Sequence, residues 1–324
     1  MAPHPDEPDP EEARLWDQVR HHPGLPPDQT ITAETLRQIA ATEGLDFATA
    51  LLYQTMRQRA PHAAFADGID RLRREPVRPV PAGNTLIGIV PAAFYRQMPH
   101  TGADGRVIAR AAASLGLPSA LIPIKSTGTL AENAAIIRDW LKSHPQRRIL
   151  LCSLCKGGAD IKYALGQPGA GPDFSPVSAW VNICGSVHGS PFAQWLLTTK
   201  PRFIAAWVYF KCQRHDFRML RELVPAPAGP LAPALALPPG LTLVNIAGFP
   251  LRRHLSNGFM RRCHGFISDY GPNDGGILLA DVCRLPGTLY PVWGADHYLR
   301  PETRAGEILT AILRRLLAGT PAAP

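Results

Sequence analysis

Six short apolar runs, at residues 85–90, 120–124, 148–152, 177–183, 241–246 and 288–293, limit what this chain can fold into. None alternates polar with apolar residues, so none can keep one face in water while burying the other. Such runs read as strands covered on both faces, the situation of a parallel sheet. Helical segments separate most of them, as parallel strands require. Residues 106–115 follow the first run. Residues 130–142 follow the second, opened by Thr129 and Glu132 in capping-box spacing. A final helix is expected from near Pro301 to Gly319, with proline at its start and glycine past its end. Strands alternating with helices around a parallel sheet define the α/β class in a doubly wound form.

Two stretches depart from that rhythm. Residues 32–41 and 46–59 have helical spacing, with Leu36 and Ile39 in the first and Phe47, Leu51, Leu52 and Met56 in the second. The proline-rich segment 76–81 then ends any helix. Residues 1–82 are therefore expected to form a helical extension and linker, and residues 83–324 the main domain. The second departure, residues 187–240, lies between the fourth and fifth runs and is rich in Phe and Trp. An interval of that length is not a bare loop. It reads as a helical lid over a site, with its proline-rich end as the return. The plain alternative is a helical excursion that fills the core.

Composition removes several classes. Hydrophobic residues make up 45% of the 324, which excludes wholesale disorder. The net charge of +8 invites a nucleic-acid reading, but the arginines come in scattered pairs. No aromatic-interleaved basic run accompanies them, so no nucleic acid is expected as a partner. A solvated basic surface that steers anionic substrates fits better. The opening MAPHPDEPDPEE lacks the basic start and apolar run of a secretory signal. The most apolar long stretch, residues 191–210, carries Lys200 and Arg202, which are costly at bilayer depth. A soluble, cytoplasmic protein without a membrane span is the expectation. Six cysteines in a chain of this length do not read as a disulfide framework.

Chemistry concentrates at Ser153-Leu154-Cys155-Lys156-Gly157-Gly158, directly after a strand and before a helical run. A sharp bend between strand and helix tolerates only small residues two places before and after its centre, and Ser153 and Gly157 stand there. The bend lifts Cys155 to a helix N-terminus. Free N–H groups and the helix dipole favour a thiolate at that position. The N–H of Lys156 would face an oxyanion forming there.

The segment resembles the nucleophile elbow of α/β-hydrolases with serine replaced by cysteine. More narrowly, it is similar to the G-x-C-x-G-G elbow of dienelactone hydrolases and polyhydroxyalkanoate synthases, with Ser153 where glycine is usual. Residues 183–191, ICGSVHGSP, resemble the T-P-H-x-G-S segment of bacterial lipases. Residues 271–276, GPNDGG, look like the segment that supplies the lipase acid, and 294–299, GADHYL, follow the last strand where such lipases place histidine. The resemblance covers roughly residues 84–317. It implies an α/β-hydrolase fold: a mostly parallel sheet flanked by helices, with a helical lid insertion and an N-terminal helical extension.

Roles follow in order along the chain. Cys155 is the expected nucleophile, His297 its general base and acid, and Asp274 the carboxylate that orients the imidazole. Lys156 and either Ala93 or Phe94 are expected to donate to the oxyanion. Trp195, Phe203, Trp207 and Phe210 of the lid are expected to bind substrate. Plainer readings stand beside these: Cys155 as a small core residue, Asp274 as part of an Asn-Asp-Gly turn, Asp296 as a rival acid and His188 as a rival base. Cys152 and Cys155 also have the spacing of a redox dithiol. No Cys/His set has zinc-ligand spacing, so neither metal nor cofactor is expected.

A cysteine nucleophile forms a thioester, which stays activated towards amines, alcohols and carbanions. The first reading is hydrolysis of an ester or thioester through an acyl-cysteine. The second is an acyltransferase or cyclase that hands the acyl group to another nucleophile, and the third is a silent binding protein. The partner in each case is a small acyl molecule, carrier-linked or free.

Overall fold

The computed structural model describes residues 10–23, 25, 31–255 and 257–319. Residues 1–9, which carry most of the acidic, proline-rich opening, lie outside them.

Six strands form one sheet: β1 Thr85–Val90, β2 Ser119–Leu121, β3 Arg148–Leu154, β4 Val177–Ile183, β5 Thr242–Phe249 and β6 Thr288–Trp293. Their order is β2-β1-β3-β4-β5-β6, and every pairing is parallel. The chain steps from β1 to β2 in one direction and returns past β1 to β3 in the other. Right-handed crossovers therefore put the helix Arg106–Ser114 and the helix Leu130–Lys142 on opposite faces. The second of these opens with the expected capping box of Thr129 and Glu132. The reversal between β1 and β3 leaves a crevice beyond their C-terminal ends, the usual ligand position in open α/β sheets.

The central strands are buried along nearly their whole length, as continuous apolar runs require. The second strand differs from its expected span of 120–124. It is a short edge strand with two of three residues exposed. Ile122 and Ile124 supply the apolar signal from beyond the strand, where both are buried.

A line of polar side chains crosses this apolar core through β3, β4 and β5. Trp180 Nε1 donates to Ser153 Oγ at 2.8 Å, and Ser153 Oγ donates to Asn182 Oδ1 at 3.4 Å. Asn182 Nδ2 donates to Asn245 Oδ1 at 3.0 Å, and Asn245 Nδ2 to Pro286 O at 3.0 Å. Every member is satisfied, so the chain ties three strands without leaving a buried polar group unmatched.

The N-terminal segment covers the far edge of the sheet. Besides the two expected helices, observed at Ala33–Glu43 and Leu45–Gln58, it forms Pro10–His21 and His62–Arg74. His62 Nδ1 accepts from the free-edge amide of Leu289 in β6 at 3.1 Å. The rings of Trp16 and Tyr53 lie 4.5 Å and 5.0 Å from that of Trp293. An edge strand left open is a template for aggregation, and this cap closes it. Leu36, Leu52, Met56 and Ile69 belong to the same apolar core as the sheet, while Val19, Phe47, Ala50 and Leu51 form a smaller cluster of their own.

Residues 187–240 fold into three helices, Pro191–Thr198, Lys200–Cys212 and Phe217–Glu222, followed by a proline-rich return without helix. Their inward residues form a second apolar cluster that includes Ala193, Phe210, Met219 and Leu220.

Ser153→Ala strands the buried Trp180 indole N–H and breaks the polar line at its first link. A loss of about 1–3 kcal/mol in unfolding free energy is expected, measured by urea denaturation. Unchanged stability would show that the line contributes nothing.

Candidate active site

The bend between β3 and the helix Lys156–Leu165 places Cys155 at φ 48° and ψ −117°, a left-handed-side conformation that a non-glycine residue seldom adopts. Close packing holds it there. A Cβ on Gly157 would come within 2.8 Å and 2.9 Å of the carbonyl oxygens of Val90 and Pro91. One on Gly158 would come within 2.5 Å of Asn182 Oδ1. The glycines let the helix start against β1 and β4, and the strain falls on Cys155. Backbone bonds fix the bend further: Cys155 N donates to Ile183 O at 3.0 Å, and Ser186 N donates to Cys155 O at 2.9 Å.

Lys156 follows with its side chain turned inward. Its ammonium lies 2.5 Å from Asp160 Oδ1, and Asn133 Nδ2 donates to the other Asp160 oxygen at 3.0 Å. This buried pair binds the first turn of the elbow helix to the neighbouring helix. The sequence reading used only the Lys156 amide and missed the side chain. The i,i+4 spacing to Asp160 was the available signal.

His297 sits in the loop after β6. Its Nδ1 lies 2.9 Å from Asp274 Oδ2, and its amide donates to Asp274 O at 3.1 Å. The other Asp274 oxygen accepts from the amides of Gly276 and Ile277, each at 2.8 Å. Asp274 is fully buried. Gly276 lets the turn lie flat on the imidazole, since a Cβ there would fall 2.5 Å from a ring carbon. The Asn-Asp-Gly turn and the carboxylate contact are thus both present in one segment. Asp296 instead caps its own loop, accepting from the amides of Tyr298 and Arg300 at 2.9 Å and 3.2 Å. His188 faces a different cavity, beside Asp281 and Arg284. Burial, together with Lys162 and Arg284, pushes it down to about 4.

Electrostatics couple Cys155 to His297. Burial pushes the thiol up, but the His297 cation, its hydrogen bond, the Ser186 hydroxyl and the Lys156 amide more than offset this, leaving the thiol below its ordinary value. Burial opposes a charged His297, yet the Asp274 carboxylate and the Cys155 thiolate hold its pKa well above the usual histidine range. The two shifts are opposite in direction and arise from one coupling between the thiol and the imidazole. The other cysteine of the dithiol spacing behaves differently. Cys152 is fully buried within β3, and burial alone pushes it up to about 12. Both thiols are free.

One further amide, that of Ala93 or of Phe94, is expected to complete an oxyanion site with Lys156. The Phe94 amide is committed, donating to Ser126 O at 3.0 Å. Ala93 and Phe94 both line the cavity that holds Cys155 and His297, which leaves the Ala93 amide as the remaining candidate of the two. Cys184 also approaches this centre. Its sulfur, an Asp274 oxygen and a His297 nitrogen all lie within 4.8 Å of one another. Within this cluster His297 Nδ1 and Asp274 Oδ2 are already in contact with each other, at 2.9 Å.

A cavity of about 500 Å³ opens above Cys155 and His297. Phe192, Leu196, Phe210, Leu220, Met260 and Tyr298 wall it, and its cationic side chains are limited to His297 and the already paired Lys156. Of the four lid aromatics expected to touch substrate, Phe210 lines the cavity. The other three lie elsewhere. Trp195 stacks on Phe266 at 4.1 Å under the Arg202 guanidinium. Phe203 packs on Phe217 inside the lid, and Trp207 is 44% exposed. Helical spacing revealed apolar faces here but not which one turned inward.

The comparisons with known proteins agree on architecture. A metagenomic carboxyl esterase, MGS0156, superposes over 94% of this chain and 99% of its own, with TM-score 0.57 and 18% identity. Mature Bacillus licheniformis lipase BlEst2 superposes over 75% of this chain and 94% of its own, with TM-score 0.50 and 19% identity. No protein-family model and no curated protein matches the chain. The chain has the α/β-hydrolase fold.

Asp274→Asn removes the anion that sustains the imidazolium, so the pKa of His297 falls and that of Cys155 rises. Alkylation of Cys155 by iodoacetamide near pH 6 should slow at least tenfold, since one pKa unit is a factor of about ten in thiolate below the pKa. An unaltered pH profile would contradict the coupling.

Proposed function

We propose that this protein hydrolyses esters or thioesters of uncharged, apolar carboxylic acids through an acyl intermediate on Cys155. The Asp274–His297 contact, with Cys155 and His297 lining one apolar cavity, carries the reading. In the resting pair the thiol proton resides on His297. The thiolate attacks the acyl carbonyl, and the oxyanion is received by the amides of Lys156 and Ala93. Collapse breaks the bond to the leaving alcohol or thiol, which takes the His297 proton. Water then gives a proton to His297 and attacks the thioester, releasing the acid and restoring the pair. Asp274 keeps the imidazole oriented throughout.

The ester-cleaving names of the two structural neighbours are consistent with this reading but belong to those proteins. A second reading, acyl transfer to an alcohol or amine, is favoured by the apolar cavity walls, which provide few sites to order water. A carrier attached to the acyl group would lie outside the cavity, whose walls provide no unpaired fixed charge.

Chromogenic esters and thioesters of increasing chain length test both readings. For hydrolysis, kcat/KM should rise about three- to fourfold per added methylene until the cavity is filled. Cys155→Ala should remove turnover at least about a thousandfold while the protein stays folded, and Cys155→Ser should retain a fraction. Turnover that needs an added alcohol or amine selects transfer. Wild-type rates in Cys155→Ala would exclude both, and no acylation by any substrate would leave a binding protein.

A further inference from the structure

The lid helix Lys200–Cys212 carries two apolar stripes. One turns inward through Ala206 and Phe210. The other consists of Ile204, Ala205, Trp207, Val208 and Cys212, all exposed. Their offsets follow the spacing by which a helix ordinarily faces a core, yet this stripe points into solvent. Among the described residues eight large hydrophobics are exposed, and six belong to the lid or the helix Gly258–Phe266 across the cavity mouth. Tyr209 and Phe259 are 44% and 46% exposed while also lining the cavity, so the patch is continuous with its rim. Isolated exposed apolar side chains need no explanation; a concentration at one opening does.

Charge identifies the occupant. Residues 200–215 contain Lys200, Arg202, Lys211 and Arg214 and no acid. The first acid beyond them, Asp216, is held by Arg218 through hydrogen bonds of 2.7–3.1 Å. Lys211 Nζ lies 5.9 Å from the Trp207 ring, so the cation flanks the apolar stripe. A second copy of the chain on this face would oppose like charges across a two-fold axis. An in-plane helix with exposed Trp, Ile and Val between cations is the arrangement that enters the headgroup layer of an anionic bilayer. No described helix is long and apolar enough to cross one.

We propose that the outer face of Lys200–Cys212 docks the protein on a phospholipid bilayer containing anionic lipid, with the cavity mouth against the surface. This requires no catalysis, so it stands or fails separately from the acyl-cysteine reading.

Co-sedimentation of the full chain with vesicles tests it, using phosphatidylcholine alone and phosphatidylcholine with about a quarter phosphatidylglycerol. Binding is expected to the anionic vesicles and to weaken with added salt. The double variant Ile204→Asp/Val208→Asp should bind at least about tenfold more weakly while keeping wild-type turnover of a short, water-soluble ester. Lys200→Ser/Lys211→Ser should weaken binding without touching an apolar contact, which keeps the test open if the first variant does not fold. Four results would overturn the proposal: no wild-type binding, equal binding to neutral vesicles, variants that bind as wild type, or self-association through this face in place of vesicle binding.

Discussion

The strained backbone at Cys155 is the constraint on which the rest of the site depends. A φ of 48° at a non-glycine residue persists only where its surroundings leave no alternative. Here Gly157 lies against the carbonyls of Val90 and Pro91, Gly158 against Asn182 of β4, and the Lys156–Asp160 pair anchors the helix on its other side. The sheet order makes this possible, because β1 and β3 are neighbours at the point where the chain reverses direction. The loop carrying Ala93 therefore ends beside the elbow without any special connection.

Asn182 links the bend to the interior. Its carboxamide oxygen is the atom that a side chain at Gly158 or Gly185 would strike, and it also receives the Ser153 hydroxyl. Ser153 in turn satisfies the Trp180 indole. The serine that departs from the usual elbow glycine thus has a local cause: a buried tryptophan on the next strand needs an acceptor, and a glycine could not provide one. The polar line and the elbow are a single packing arrangement.

Much of this was legible in the sequence because it rests on local necessity. Small residues around Cys155, unbroken apolar strands and the turn at Asn273-Asp274-Gly275 each encode their geometry within a few positions. Asp274 could be preferred to Asp296 because a carboxylate adjacent in sequence to His297 has little chance of reaching its ring. The losses occurred where tertiary packing decides. Helical spacing could not show that Trp207 faces solvent while Phe210 faces the cavity, since both faces of that helix are apolar. Nor could it show that the Phe94 amide is taken by Ser126, a partner from the loop beyond β2. The helix Pro10–His21 was hidden by prolines and acids, and its place became clear only once Trp16 met Trp293.

The central claim is that the Cys155 sulfur accepts an acyl group. The most direct measurement is intact-mass spectrometry of enzyme rapidly quenched during turnover of a medium-chain thioester, followed by peptide mapping. The account predicts one added acyl mass, on the peptide containing Cys155 and released by hydroxylamine. Turnover without that adduct under single-turnover conditions, or an adduct on another residue, would contradict it.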